Sequence, residues 1–167
     1  MVILITGGSG SGKSDYAESL LKDSPNKIYL ATMPYTAVNS SRIERHRKRR
    51  AEKGFVTIES TGDFSKISVP PGAHILLEDL PNLLADRMFT PDGTVIENAY
   101  ELVIKDLTFL MEKTDDLVIV SDDIFSSGTD YDPLTEAYMQ ILGKLHIWIA
   151  KRGELTDVIA GIACGGN

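Results

Sequence analysis

Residues 7 to 14 read GGSGSGKS and satisfy the spacing GxxxxGK(S/T). These residue types in this order bind phosphate. Gly7, Gly8, Ser9, Gly10, Ser11 and Gly12 let successive backbone N–H groups turn inward around anionic oxygens, and a helix beginning at the loop's end points its positive terminus at the same anion. Lys13 then reaches toward the β and γ phosphates of a nucleoside triphosphate, and the Ser14 hydroxyl is offered to a bridging Mg²⁺. Such chemistry needs an acid near the metal, at the C-terminal end of a neighbouring strand. Two pairs stand at such ends: Glu78 and Asp79 close HILLED, and Asp122 and Asp123 follow LVIVS. Glu78 and Asp123 are the expected metal ligands beside Ser14. Helix capping is the competing reading for either pair, because Asp is common at such positions.

A second cluster, RIERHRKRR (42–50), places six Arg or Lys in nine positions of a chain whose formal net charge is -7. If residues 40–53 form a helix, Arg42, His46, Arg49 and Arg50 share a face. Ile43 is the only large apolar residue from position 40 to 50, so the helix has no apolar stripe and is expected as an arm at the domain edge. Three readings compete: a solvated charged helix, a nucleic-acid patch, or an arm carrying Arg42, Arg45, Arg47, Arg49 and Arg50 to a bound triphosphate. The third gives His46 a role, because surrounding cations disfavour the imidazolium and a neutral ring nitrogen is a nucleophile toward phosphorus. Nucleic acid is disfavoured by the excess of acids elsewhere in the chain. His74, opening an apolar run, and His146, in the last helical segment, read as structural or surface groups.

The elements that position these residues follow from apolar periodicity. Short apolar runs at 2–6, 27–32, 74–78, 117–121 and 157–163 read as buried strands. Amphipathic helical spacing occupies 15–22, 97–113 and 133–152, which leaves room for crossovers. The pattern predicts an α/β fold: a mostly parallel sheet flanked by helices on both faces. At 167 residues the chain is expected to form one domain, residues 1–167, with the basic arm at about 40–53. No run is long enough to span a membrane. The opening MVILITGG lacks the features of a signal peptide, and Cys164 is the single cysteine. A cytoplasmic protein without disulfides is the expectation.

The P-loop, then YLATMP (29–34), RIERHR (42–47), TIE (57–59) and LLED (76–79), resemble in order and spacing the bifunctional adenosylcobinamide kinase/adenosylcobinamide-phosphate guanylyltransferase family. That resemblance implies a RecA-like P-loop NTPase fold, a trimer, and two activities. One phosphorylates adenosylcobinamide with ATP or GTP. The other moves GMP from GTP, through a guanylyl adduct on the histidine matching His46, to adenosylcobinamide phosphate. The chain departs from the family's pattern in reading RRAEKGF (49–55) after the histidine motif, DDIFSSGTD (122–130) after the fourth strand, and His146 where the family tends to have Asn. Two other functions stay open: a P-loop small-molecule kinase whose basic arm is only a lid, and a GTP-binding regulator that has lost catalysis.

Overall fold

The structure, a computed structural model of the chain, describes residues 1–32, 40–60, 63–124 and 130–165; within the basic helix the side chains of residues 40–43, 45 and 46 lie outside the described residues. Seven strands form one sheet in the order β3-β2-β4-β5-β1-β6-β7. They are β1 (Val2–Thr6), β2 (Lys27–Ala31), β3 (Val56–Glu59), β4 (Ala73–Glu78), β5 (Thr114–Val120), β6 (Glu154–Ile159) and β7 (Ile162–Cys164). All neighbours pair in parallel except β6 with β7. The expected α/β fold is therefore the one observed.

Alternation along the strands sorts side chains to two faces. Leu4, Ile75, Leu77, Leu117 and Ile119 face one core with α3 (Leu80–Met88), α4 (Ala99–Lys113) and α5 (Pro133–Ala150), through residues such as Leu84, Leu107 and Leu145. Ile3, Ile5, Leu76, Val118 and Val120 face the other, where α1 (Lys13–Leu20) contributes Ala17 and Leu21 follows it. The near-continuous apolar strands reflect burial from both sides. A fifth helix, α2, spans Ser40–Glu52. Among the described residues no helix is long and apolar enough to cross a membrane.

The structure corrects three details. Periodicity assigned no strand at β3, a short edge strand whose Val56 and Glu59 are exposed and which therefore has no continuous apolar run. The run at 157–163 is not one strand. It breaks at Ala160 and Gly161, both at positive φ (49° and 80°), into the β6–β7 hairpin, as a turn with two left-handed residues requires. Helix α3, which periodicity did not assign, begins one residue after β4 ends; Asp79 caps it and Pro81 occupies its first turn. Burial sets the expected energetics. Replacing Leu107, fully buried in α4, by Ala should lower unfolding free energy by about 2–5 kcal/mol in chemical denaturation. Val56→Thr on the exposed edge strand should change it by less than about 0.5 kcal/mol.

Candidate active site

Parallel pairing of β4, β5 and β1 brings three strand C-termini to one edge, and the site is built there. The P-loop follows β1 and leads into α1, whose N-cap Gly12 has φ 90°. That left-handed conformation favours glycine. A Cβ on Gly7 would meet Ser11 Oγ and the Val158 carbonyl oxygen at 2.6 Å, so only glycine fits there without movement. The loop closes on itself: the Ser11 N–H donates to the Gly8 carbonyl at 3.1 Å, and Lys13 Nζ donates to the same oxygen at 3.2 Å.

Each expected residue of this edge has a definite partner. Ser14 Oγ donates to Glu78 Oε1 at 2.6 Å, and Lys13 Nζ pairs with Asp122 Oδ1 at 2.7 Å. Asp79 performs the capping role: its Oδ1 accepts from the Asn82 N–H at 2.6 Å. Thr32, fully buried, locks the strand end by accepting from the Asp79 N–H at 3.0 Å and donating to the Asp79 carbonyl at 2.9 Å. The Asp123 N–H donates to the Gly7 carbonyl at 3.2 Å, and Asp123 lines a cavity of about 380 Å³ beside the P-loop. Asp122, rather than its neighbour, is the acid that reaches Lys13.

Electrostatics follow from crowding of carboxylates in a partly dry pocket. Burial pushes the Glu78 carboxyl above its ordinary value; the Ser14 hydrogen bond opposes this, while Asp79 adds to it. Burial likewise raises Asp79, with Asp122 contributing. The Tyr138 phenol, which donates to the Pro81 carbonyl at 2.9 Å, is raised far above its usual range by burial and by Asp79 and Asp122. His146 Nε2 lies 2.7 Å from Ser121 Oγ, and burial lowers its pKa against the pull of Asp123. Ser121 and Tyr138 carried no motif signal, and the sequence offered Asp122 only as one of a pair with Asp123.

The donors at this edge suit Mg²⁺. A hydroxyl and a carboxylate oxygen 2.6 Å apart, in a pocket where burial disfavours the carboxylate's charge, are hard ligands that an added cation would stabilise. Among the described residues no three His, Cys, Asp or Glu side chains form a metal cage.

The basic helix is docked through its cations. Arg49 pairs with Asp15 at 2.7 Å, and Lys53, just beyond α2, pairs with the buried Glu18; both acids belong to α1. Arg47 pairs with Glu59 of β3 at 3.3 Å. The Arg50 guanidinium, buried, stacks 3.6 Å over the Tyr29 ring, and Phe55 meets Tyr29 edge-on. Cations stacked on aromatic faces replace the missing apolar stripe. Arg47, Arg49 and Arg50, expected to face a triphosphate, are thus engaged with protein groups. The side chains of Arg42, Arg45 and His46, and positions 125–129 of the DDIFSSGTD stretch, lie outside the described residues. Of the other histidines, His74 Nδ1 sits 2.8 Å from Asp116 near the N-terminal ammonium group, at the opposite strand ends.

Fold and site define a P-loop nucleotide-binding enzyme. A solved ATPase from the type III secretion system of pathogenic bacteria shares the fold, with a TM-score of 0.54, 12% identity, and coverage of 98% of this chain and 56% of its own. The chain belongs to the cobinamide kinase/cobinamide phosphate guanyltransferase family, whose sequence profile matches residues 3–165. It is 27% identical over 177 aligned residues to the bifunctional adenosylcobalamin biosynthesis protein CobU of Escherichia coli (strain K12), covering 97% of both chains. It is 25% identical, with the same coverage, to the protein of that name from Salmonella typhimurium (strain LT2). The family is one of transferases acting in cobalamin biosynthesis.

Three substitutions have expected effects on stability. Because the folded-state pKa of Glu78 is raised, its ionised form costs stability at neutral pH and nothing below the ordinary glutamate range. Glu78→Gln should therefore raise the melting temperature at pH 7, with the gain vanishing as pH falls through that range in a pH-resolved thermal scan. Glu18→Gln should destabilise by about 1–3 kcal/mol, since it weakens the counter-charge for cations docked on a buried acid. Asp15→Asn, at an exposed pair, should cost less than about 1 kcal/mol.

Proposed function

We propose that this chain phosphorylates cobinamide with a nucleoside triphosphate and then transfers GMP from GTP to cobinamide phosphate, with adenosylcobinamide as the corrin substrate and His46 as the guanylyl acceptor. The observation carrying this reading is the Ser14–Glu78 contact at 2.6 Å, which couples the phosphate loop to an acid at the strand edge. Membership of the family across residues 3–165 supplies the substrate class.

In this reading the backbone of Gly7, Gly8, Ser9, Gly10, Ser11 and Gly12 cradles the phosphates, and Lys13 exchanges part of its contact with Asp122 for their oxygens. Mg²⁺, held by Ser14 and Glu78 with Asp123 beside the loop, would supply positive charge to the phosphate oxygens. Lys13 orients the γ-phosphoryl group for transfer to the cobinamide hydroxyl. For the second activity, a neutral ring nitrogen of His46 bonds to the α-phosphorus of GTP while the bond to the bridging oxygen breaks and pyrophosphate leaves. A phosphate oxygen of cobinamide phosphate then attacks that phosphorus and frees the histidine. Arg42 and Arg45, which precede His46 on α2, would stabilise charge on the transferred group. Arg47, Arg49 and Arg50 hold the helix in place. The proposed unit is one cytoplasmic domain, residues 1–167, with α2 as its arm, assembling as a trimer.

A second reading, a P-loop small-molecule kinase in which α2 only covers the nucleotide, is favoured by the docking of Arg47, Arg49 and Arg50 on protein partners. The two readings separate in a coupled assay with adenosylcobinamide and GTP. Under the proposal, His46→Asn keeps phosphorylation and loses pyrophosphate release by at least about 10³-fold, while Lys13→Ala loses both. Phosphorylation without pyrophosphate release from the wild-type chain itself, and unchanged in His46→Asn, would assign α2 to the lid role.

A further inference from the structure

The phosphate end of the site is anchored from one side of β1. Ser14 is joined to Glu78 after β4, and Lys13 to Asp122 after β5. In the sheet, β5 and β4 lie on one side of β1, and β6 and β7 on the other. A triphosphate whose γ end faces Glu78 and Asp122 must lead its nucleoside the opposite way, across β1 toward the β6–β7 hairpin. A cavity of about 380 Å³ lies there, lined by Gly8 to Ser11 of the P-loop's outer turn, by Asp123 after β5, by Asp157, and by the hairpin residues Ile159 and Ala160. Its size falls within the range of small-molecule sites.

The cavity is built rather than incidental. The Gly161 N–H donates to the Ser11 carbonyl at 2.7 Å, and a Cβ on Gly12 would stand only 3.3 Å from Gly161 Cα, so the hairpin tip is tied to the P-loop. Thr6 and Asp157 are register partners in the β1–β6 pair, and Thr6 Oγ1 donates to Asp157 Oδ1 at 3.0 Å. That bond orients the carboxylate. A carboxylate has about four lone-pair positions, so one bond leaves acceptors for a ligand. Ile159, 58% exposed, offers an apolar surface to a flat ring.

We infer that this cavity seats the nucleobase and that Asp157 selects guanine over adenine; the inference rests on the reading of residues 7–14 as the triphosphate site. On its Watson–Crick edge guanine presents two adjacent donors, N1–H and the 2-amino group, and one carboxylate accepts both. Adenine presents an N1 lone pair in the same place and has no 2-amino group. Seated there it would leave the carboxylate facing an acceptor, the arrangement from which polar sites derive their strongest rejection.

The test is equilibrium binding of fluorescent GTP, ATP and xanthosine triphosphate to the full chain with Mg²⁺ and no cobinamide. Wild-type protein is expected to prefer GTP. Asp157→Asn should weaken GTP by about 10- to 100-fold, leave ATP essentially unchanged, and tighten xanthosine triphosphate, whose 2-carbonyl accepts from the new amide. A gain for one nucleotide is something misfolding or a lost Thr6 contact does not produce. An unchanged GTP-to-ATP ratio, or an equal loss for all three, overturns the inference. Lys13→Ala separates the failures. Wild-type binding that needs Lys13 but shows no base preference removes the inference alone, whereas binding indifferent to Lys13 removes the P-loop reading and the inference with it.

Discussion

The hydrogen bond from Ser14 to Glu78 is the constraint on which the rest of the site depends. It joins residues 64 positions apart, and it exists because β4, β5 and β1 run parallel and end at the same edge. Parallel pairing needs crossovers, and the crossover helices supply the two cores that bury the strands. Shifting β4 by one residue would exchange Leu77 with Glu78, placing a carboxylate in the core and an apolar group beside the loop. The same register sets the Thr32 lock on Asp79 and lets that residue cap α3. One strand end thus positions both the site acid and the helix beneath it.

A cost accompanies this placement. Glu78 and Asp79 are both raised in pKa, first by burial and then by neighbouring acids, so the site holds negative charge that folding alone does not favour. Perturbed carboxylates of this kind mark sites where a ligand completes the electrostatics. The basic helix shows a complementary economy. With few apolar anchors, α2 is held by Arg50 over Tyr29 and by Arg49 and Lys53 against the acids of α1. Helix α1, which begins at Lys13 at the end of the P-loop, carries Asp15 in its first turn and Glu18 one turn further on. The loop and the helix bearing His46 are therefore attached to the same short element.

Much of this was legible in the sequence because it is local. Gly7 to Ser14 carry the spacing of a phosphate loop, and the apolar runs have the length of buried parallel strands. Glu78 was readable as an acid at a strand end. The choice between Asp122 and Asp123 was not, since adjacent residues leave a strand on opposite sides and the backbone turn decides which one meets Lys13. The hairpin at Ala160 and Gly161 was hidden by the continuous apolar character of 157–163, where small residues at positive φ interrupt the chain without a polar signal. Arginine partners were also illegible. A cation-rich helix looks solvated until the fold brings Asp15 and Glu18 of α1, Tyr29 of β2 and Glu59 of β3 to it from three different places in the chain.

The central claim is that the P-loop presents a guanine nucleotide to His46. Intact-protein mass after incubation with GTP and Mg²⁺, without cobinamide, followed by peptide mapping, tests it most directly. The account predicts a gain of one guanylyl group, labile in acid, stable in alkali, and confined to the peptide containing His46. GTP that binds while the mass stays unchanged, or an adduct on another residue, would contradict it.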